Sequence, residues 1–455
     1  MLYKRAVAIC VAATVLTGCS SFGQTPVISE SVPRVSGASL YELSGSGPIE
    51  HIVVIVQENR TVDNLFNGFP GANTVRSAKS KQGKTITLVP ISLTAPYDLS
   101  HKHSAWVSDY DRGKMDGFNT EGEECFVKGS CPQRHVASYG FVPESEVEPY
   151  WQMAKQFTFA DDMFQTNQGP SFPAHQYIIS GTSTISNHSR WKASENAVAH
   201  GSKHKQGGCS SLPNATVETI DPKGNEGHDV YPCFDRDSIM NRMNARKISW
   251  QYYQWYGGSG TWNAVDAIER IVKGPSYANV IWPSKRVLRT IASNELPDVT
   301  FVTPTAAESD HAGKNKGTGP SWVAAIVNAI GASSYWKNTA IIVTWDDWGG
   351  WYDHVPPRIY NSYELGFRVP MIVISPYAKR GYVSHVRYEF GSILKFIEET
   401  FGLKSLGTTD ARANDLSDCF DFSGPPRPFE RIGATYPPQY FARLPAGDDD
   451  PDDDF

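Results

Sequence analysis

Two stretches of this chain are apolar and largely β-branched without a break, and each stops abruptly at acidic or amide side chains. The first is Ile52-Val53-Val54-Ile55-Val56, followed by Gln57-Glu58-Asn59-Arg60. The second is Ala340-Ile341-Ile342-Val343-Thr344-Trp345, followed by Asp346-Asp347-Trp348-Gly349-Gly350. A strand with one face in water alternates apolar and polar residues. A run without alternation predicts a strand buried on both faces, as in a parallel sheet. Such a sheet needs helices over both faces, so the runs predict an α/β fold: a three-layer α/β/α sandwich with a mostly parallel central sheet. Function in open α/β sheets collects at the carboxyl ends of the strands. Glu58 and Asp346, about 290 positions apart in sequence, are therefore expected to share one edge and one divalent metal ion.

The rest of the pattern agrees with alternating strands and helices. Helices are predicted near the end of 143–157 and over 237–246, 266–271, 283–294, 322–330 and 388–401. Further strands are predicted over 248–253, 299–302 and 371–375. The polar segment from about 192 to 235 reads as an inserted surface loop region. The Pro-rich stretch from 425 reads as an extended tail on the surface. It ends in the acidic run 448–454, which is expected to be solvated because like charges repel and nothing apolar is there to bury.

The start of the chain carries targeting information. Lys4-Arg5 precede an apolar stretch from Ala6 to Leu16, and Leu16-Thr17-Gly18-Cys19-Ser20 follows. The stretch is short for a membrane span. It resembles a bacterial lipoprotein signal (1–18), with cleavage before Cys19 and lipidation of its thiol. That implies membrane tethering through lipid on Cys19, residues 19–47 as a linker, and an outer-membrane or periplasmic location. An ordinary secretory peptide or an N-terminal anchor is the alternative. An exported protein permits disulfides; Cys125–Cys131 and Cys209–Cys233 are the expected pairs, with Cys419 left over. A net charge of −6 gives no sign of a nucleic-acid surface.

Several clusters carry candidate chemistry. Glu58 and Asn59 offer hard oxygen donors, although a helix-capping cluster has the same composition. Asp346 and Asp347 repel each other unless a cation lies between them. The following loop to Pro357 adds two glycines, aromatic residues and His354, and its glycines would let backbone approach a ligand closely. Gly169-Pro170-Ser171-Phe172-Pro173-Ala174-His175 holds a serine expected in an exposed turn, able to act as a nucleophile beside a metal. His101, His103 and His311 sit in loops. No GxSxG elbow is present, which argues against a Ser-His-Asp esterase. The aromatic group Trp250, Tyr252, Tyr253, Trp255, Tyr256 and Trp262 is read as core, with a choline or lipid pocket as the alternative.

Taken in order, these segments resemble the bacterial phosphoesterase family that contains non-specific phospholipases C and related acid phosphatases, in the alkaline-phosphatase-like superfamily. Glu58 to Asp63 is similar to its ENRSFD block. Ser171 to His175 is similar to its TxPNR block, Asp346 to Pro357 to its DExxGxxDHVxxP block, and Gly366 to Pro376 to its GxRVPxxxxSP block. The resemblance spans roughly 48–403 within a catalytic domain over 48–424. It implies an alkaline-phosphatase-like fold and hydrolysis of a phosphate ester or phospholipid through a phosphoserine. It implies Glu58, Asn59, Asp346 and Asp347 as ligands of one divalent ion (calcium, magnesium, manganese, zinc or iron). It implies Ser171 as nucleophile, with His311, His354 and His101 or His103 around the phosphoryl group. Ser171 stands where the family has Thr and Asp347 where it has Glu, both leaning towards the acid-phosphatase branch. Ala174 and His175 replace the usual Asn-Arg. The alternatives are a sulfatase or phosphodiesterase on the same fold, or a non-catalytic lipid-anchored envelope protein.

Overall fold

The computed structural model describes residues 48–120, 122–199 and 206–445. The signal segment, Cys19, the linker and the acidic run 448–454 lie outside the described residues. Eight strands form the central sheet: β1 (His51–Gln57), β2 (Thr158–Ala160), β3 (Trp250–Tyr253), β4 (Val280–Ile281), β5 (Val299–Val302), β6 (Thr339–Trp345), β7 (Met371–Ile374) and β8 (Tyr382–Ser384). Their order is β4-β3-β5-β1-β6-β7-β2-β8. β7 alone runs against its neighbours; the other pairings are parallel. The expected α/β class and mostly parallel sheet are therefore what the chain forms.

β1 shows why. Ile52 to Val56 are buried on both faces, and parallel partners flank the strand on each side. Burying five such side chains stabilises the fold by on the order of 10 kcal/mol. That is comparable to a domain's whole net stability and holds β1 at the centre. Its register with β6 sets Gln57 level with Trp345, and the Asp346 N–H donates to the Gln57 carbonyl at 3.0 Å. Glu58 and Asp346 thus leave the sheet side by side.

The principal helices are α1 (His103–Tyr110), α2 (Glu148–Gln156), α3 (Ser171–Ser180), α4 (Ile239–Arg246), α5 (Arg286–Ala292), α6 (Gly319–Gly331), α7 (Phe390–Thr400) and α8 (Pro438–Arg443). α2, α5, α6 and α8 pack with one another, and α3 packs with α4 and α7. These two sets form the layers on either side of the sheet. α6 turns Trp322, Val323, Ile326, Val327 and Ile330 into the interior, as its helical spacing predicts.

Several expectations need correction. The helix expected over 266–271 is a 3-10 turn at Ala264–Ala267 and a short helix at Glu269–Val272. Between them Ile268 is extended and bridges to Phe234. The 192–235 insertion is not only loop: it folds into a four-stranded antiparallel sheet built on Ala215–Ile220. The Pro-rich tail is docked. Ile432 is buried and exchanges two hydrogen bonds with the Asn328 amide, and α8 sets Phe441 against the Trp322 ring. Both expected disulfides, Cys125–Cys131 and Cys209–Cys233, are formed, and Cys419 is a buried free thiol.

Candidate active site

The carboxyl ends of β1 and β6 converge with the start of α3. Glu58, Asn59, Ser171, His175, Asp346 and Asp347 are all buried there. Asn59 takes a left-handed conformation at φ 63°, which turns its backbone N–H onto Asp346 Oδ1 at 3.0 Å. The side-chain amide of Asn59 donates through Nδ2 to His101 Nε2 at 3.0 Å. His101 Nδ1 lies 2.7 Å from the Leu99 carbonyl. A carbonyl can only accept, so the His101 proton is on Nδ1 and Nε2 is the acceptor. That chain of bonds leaves Asn59 Oδ1 without a hydrogen bond, and Asp346 Oδ2 also has none. Buried oxygens of this kind are costly unless something else satisfies them. Two oxygen donors, with Glu58 and Asp347 beside them, fit a hard divalent cation.

Asp347 points to the nucleophile. Ser171 Oγ donates to its Oδ2 at 3.1 Å, and the Gly349 N–H donates to its Oδ1 at 2.7 Å. The aspartate side chain, shorter than the family's glutamate, reaches the serine directly. Ser171 is neither exposed nor in a turn, as the sequence led us to expect: it is buried and is the first residue of α3. The insertion covers it. Asn196 accepts from the Phe172 N–H, and Tyr363 donates to the Ser194 carbonyl. Gly169 is required at this seam, because a Cβ there would stand 2.3 Å from the Tyr363 hydroxyl and 2.7 Å from the Ser194 carbonyl. Upstream, Gln165 and Asn167 tie the loop through the Gly169 and Pro170 carbonyls.

The glycines after the acidic pair serve packing of the chain on itself. Gly349 sits at φ 59°, and a Cβ on it would meet the Asn59 carbonyl oxygen at 2.6 Å; one on Gly350 would meet Leu99 Cβ at 2.4 Å. The close approach is between the β1 and β6 loops, which is how the acidic pair is brought against Asn59.

The histidines divide into two groups. His101 and His311 pack edge to face with ring centroids 5.9 Å apart, and the Trp262 ring lies 6.0 Å from that of His311. Trp262 thus joins the site, while Trp250, Tyr252, Tyr253 and Trp255 are buried in the core and Tyr256 is exposed. His103 stands further out. Its Nδ1 bonds the Gln168 carbonyl at 2.5 Å and its ring stacks on Trp106, so it supports the loop leading to Ser171. His354 joins a different cluster: its ring bonds Asp63 at 2.6 Å and Asn73 at 3.1 Å. Arg368 completes that cluster with a two-pronged pair to Asp353. None of the hydrogen bonds of His354 runs to Ser171 or to the acidic centre. Burial opposes its charged form, but the bond and charge of Asp63, with Asp353, more than offset this and raise its pKa.

Two features of the site lay beyond sequence reasoning. Arg60 is a buried strut: it bonds the Asp310 and Leu93 carbonyls and Asn64, and lies over the Trp351 ring. Asp310 in turn accepts from Tyr150 and from Trp345, the last residue of β6. Burial pushes Asp310 up to about 6, against the pull of Arg60. The other feature is His175. Its Nε2 is 3.0 Å from Glu58 Oε1 and 3.7 Å from Asp346 Oδ2. Burial draws its pKa down to about 4, against the charge of Asp346. The signal was present in the sequence as a histidine four residues after Ser171, one helical turn on and on the same face.

Fold and site together define a class: an α/β protein with a buried serine and an acidic, cation-suited centre at the carboxyl edge of its sheet. The chain belongs to the phosphoesterase family, whose description matches residues 49–404. This is nearly the span over which the four sequence blocks carry the resemblance. It is 23% identical to the hemolytic phospholipase C of Pseudomonas aeruginosa, over 83% of this chain and 56% of that protein. It is 25% identical to "Phospholipase C A" of Mycobacterium tuberculosis, over 84% of this chain and 80% of that protein. The chain spans 56% and 58% of the two P. aeruginosa phospholipases C it matches. Among solved structures, a protein in the alkaline phosphatase superfamily from Vibrio parahaemolyticus aligns with a TM-score of 0.36 at 10% identity, over 82% of this chain and 72% of that one.

Proposed function

We propose that this protein hydrolyses phosphate esters, of the acid-phosphatase or phospholipase C type, by attack of Ser171 on phosphorus. The observation that carries the reading is the Ser171–Asp347 hydrogen bond, set beside the unbonded oxygens of Asn59 and Asp346. A divalent ion held by Glu58, Asn59, Asp346 and Asp347 would supply charge stabilisation for the phosphate oxygens and favour the ionised serine. Asp347 orients the Ser171 hydroxyl and takes up its hydrogen bond. Ser171 stands at the start of α3, where the helix dipole favours negative charge on the transferring group. His311 Nδ1 lies 2.9 Å from the Ala312 carbonyl, which fixes the ring; carrying a proton on Nε2 as well, the imidazolium would give that proton to the departing alcohol. The Ser171 Oγ–P bond forms as the bond to the leaving oxygen breaks, and water then cleaves the phosphoserine. The phospholipase C relatives support a phosphorylated lipid or small phosphate ester as substrate.

A panel of p-nitrophenyl phosphate, phosphatidylcholine and p-nitrophenyl sulfate tests this. Turnover of one of the phosphate esters is expected. Turnover of the sulfate alone would replace the reading with a sulfatase, and no turnover of any would favour a non-catalytic role. Membrane tethering through a lipidated Cys19 is part of the same proposal and rests on the sequence around that residue. Labelling of cells with a fatty-acid analogue is expected to tag the wild-type chain and to miss Cys19→Ala. Equal labelling of both would remove the anchor.

A further inference from the structure

We infer that His175 is a nitrogen ligand of the metal centre, and that it turns the centre's preference from calcium and magnesium towards a borderline ion such as zinc or ferrous iron. This rests on the reading of the acidic centre as a metal site. α3 carries Ser171 and His175 one turn apart, so the fixing of its first turn by Gln165, Asn167 and the insertion also aims His175 at the ends of β1 and β6. Nε2 of His175 lies 3.0 Å from Glu58 Oε1 and 3.7 Å from Asp346 Oδ2. One donor atom from each of Glu58, His175 and Asp346 falls within 4.8 Å of the other two. Donors sharing one ion at about 2.0–2.1 Å stand about 3.0–3.5 Å apart; the Glu58–His175 separation falls in that range, and Asp346 Oδ2, at 3.7 Å, needs only a small inward shift to join.

Presenting a lone pair from Nε2 requires the ring to exchange its hydrogen bond to Glu58 for the ion. In the metal-free arrangement Nε2 carries the proton and donates it to the Glu58 carboxylate, while Nδ1 is buried and has no hydrogen-bond partner, so no neighbour blocks transfer of the proton to Nδ1. Hydrogen bonding to Glu58 through Nε2 is thus exchangeable for ligation with the proton carried on Nδ1. An all-oxygen set suits calcium, magnesium or manganese, whereas an imidazole added to carboxylates favours zinc or iron. The Asn-Arg pair of the family's nucleophile block has no such donor at this place, so the preference belongs to this chain's own Ala174-His175.

The test compares the full chain with His175→Gln, after removal of metal by chelation, by calorimetric titration with Zn2+, Mn2+ and Ca2+ separately. His175→Gln is expected to weaken Zn2+ binding by at least about tenfold and Ca2+ binding by less than about threefold. Pulsed electron paramagnetic resonance of the Mn2+-loaded wild type is expected to show coupling to an imidazole nitrogen, lost in the variant. Equal weakening for every ion would make His175 a support for Glu58 rather than a ligand, and would overturn the inference. So would an unchanged Zn2+ affinity. Should the variant not fold, the absence of nitrogen coupling in the wild type alone would still overturn it. If the wild type binds none of the three ions, the metal reading itself fails, an outcome distinct from those.

Discussion

Ser171→Ala is expected to lower kcat for the hydrolysed phosphate ester by about 10^4-fold or more, because the attacking oxygen is removed. Its effect on folding is expected to be small. The hydroxyl makes one hydrogen bond, to Asp347, of a kind worth about 1 kcal/mol. Alanine keeps the start of α3 intact, since the bonds that fix the loop come from Gln165 and Asn167. Circular dichroism and the thermal midpoint should stay close to wild type while turnover disappears. Acid quenching during turnover, followed by mass spectrometry of the peptide containing Ser171, is expected to recover phosphoserine from the wild type. Substantial turnover by the alanine variant would remove Ser171 from the chemistry, whatever its geometry.

Asp346→Asn is expected to weaken binding of the divalent ion by more than about 100-fold, and activity should fall with it. Asparagine keeps an oxygen to accept the Asn59 N–H that Asp346 Oδ1 now accepts, so the turn after β1 is preserved. What is lost is one negative charge among Glu58, Asp346 and Asp347. Two opposite stability effects follow. With chelator present the variant should melt at or above the wild-type midpoint, since repulsion between buried carboxylates is relieved. With ion present the wild type should be stabilised by binding and the variant should not. Metal content by mass spectrometry and thermal unfolding with and without chelator read both effects. An ion stoichiometry equal to wild type would show that the centre is not built on Asp346.

The central sheet was legible because its longest strands are buried on both faces, which favours a run of mainly apolar, β-branched residues there. Ile52 to Val56 and Ala340 to Trp345 announce themselves, as does the helical spacing of α6. The strands β2, β4 and β8 did not, since two or three residues carry no period to read. α3 was hidden for a related reason. Pro170, Ser171 and Pro173 look like a turn, and Pro in the first turn of a helix has the same composition. Ser171 was therefore expected in water and is instead buried under the insertion.

The site residues separate along a similar line. Glu58, Asn59, Asp346 and Asp347 follow strands of known direction, so their meeting at one edge needed only the parallel sheet. His101, His311 and His354 come from loops, and loop positions are decided by contacts far away in sequence. His101 reaches Asn59, whereas His354, only seven residues beyond Asp347, is captured by Asp63 and stands beside Arg368 and Asp353. His175 is the reverse case. It appeared as a departure from the family pattern, and three-dimensional packing turns that departure into an imidazole beside Glu58 and Asp346.

By itself the sequence determined that two strands lie at the heart of a parallel sheet and end in oxygen donors, because burial on both faces excludes any other residue pattern. It also determined the family, because four blocks occur in order. Only the tertiary structure decided which side chains meet at those strand ends. The register of β1 against β6, the left-handed turn at Asn59 and the contact of Gly349 with it set the acidic pair in place. The covering insertion then set Ser171 and His175 against that pair. These are long-range contacts, and they depend on backbone paths that no local run of residues encodes.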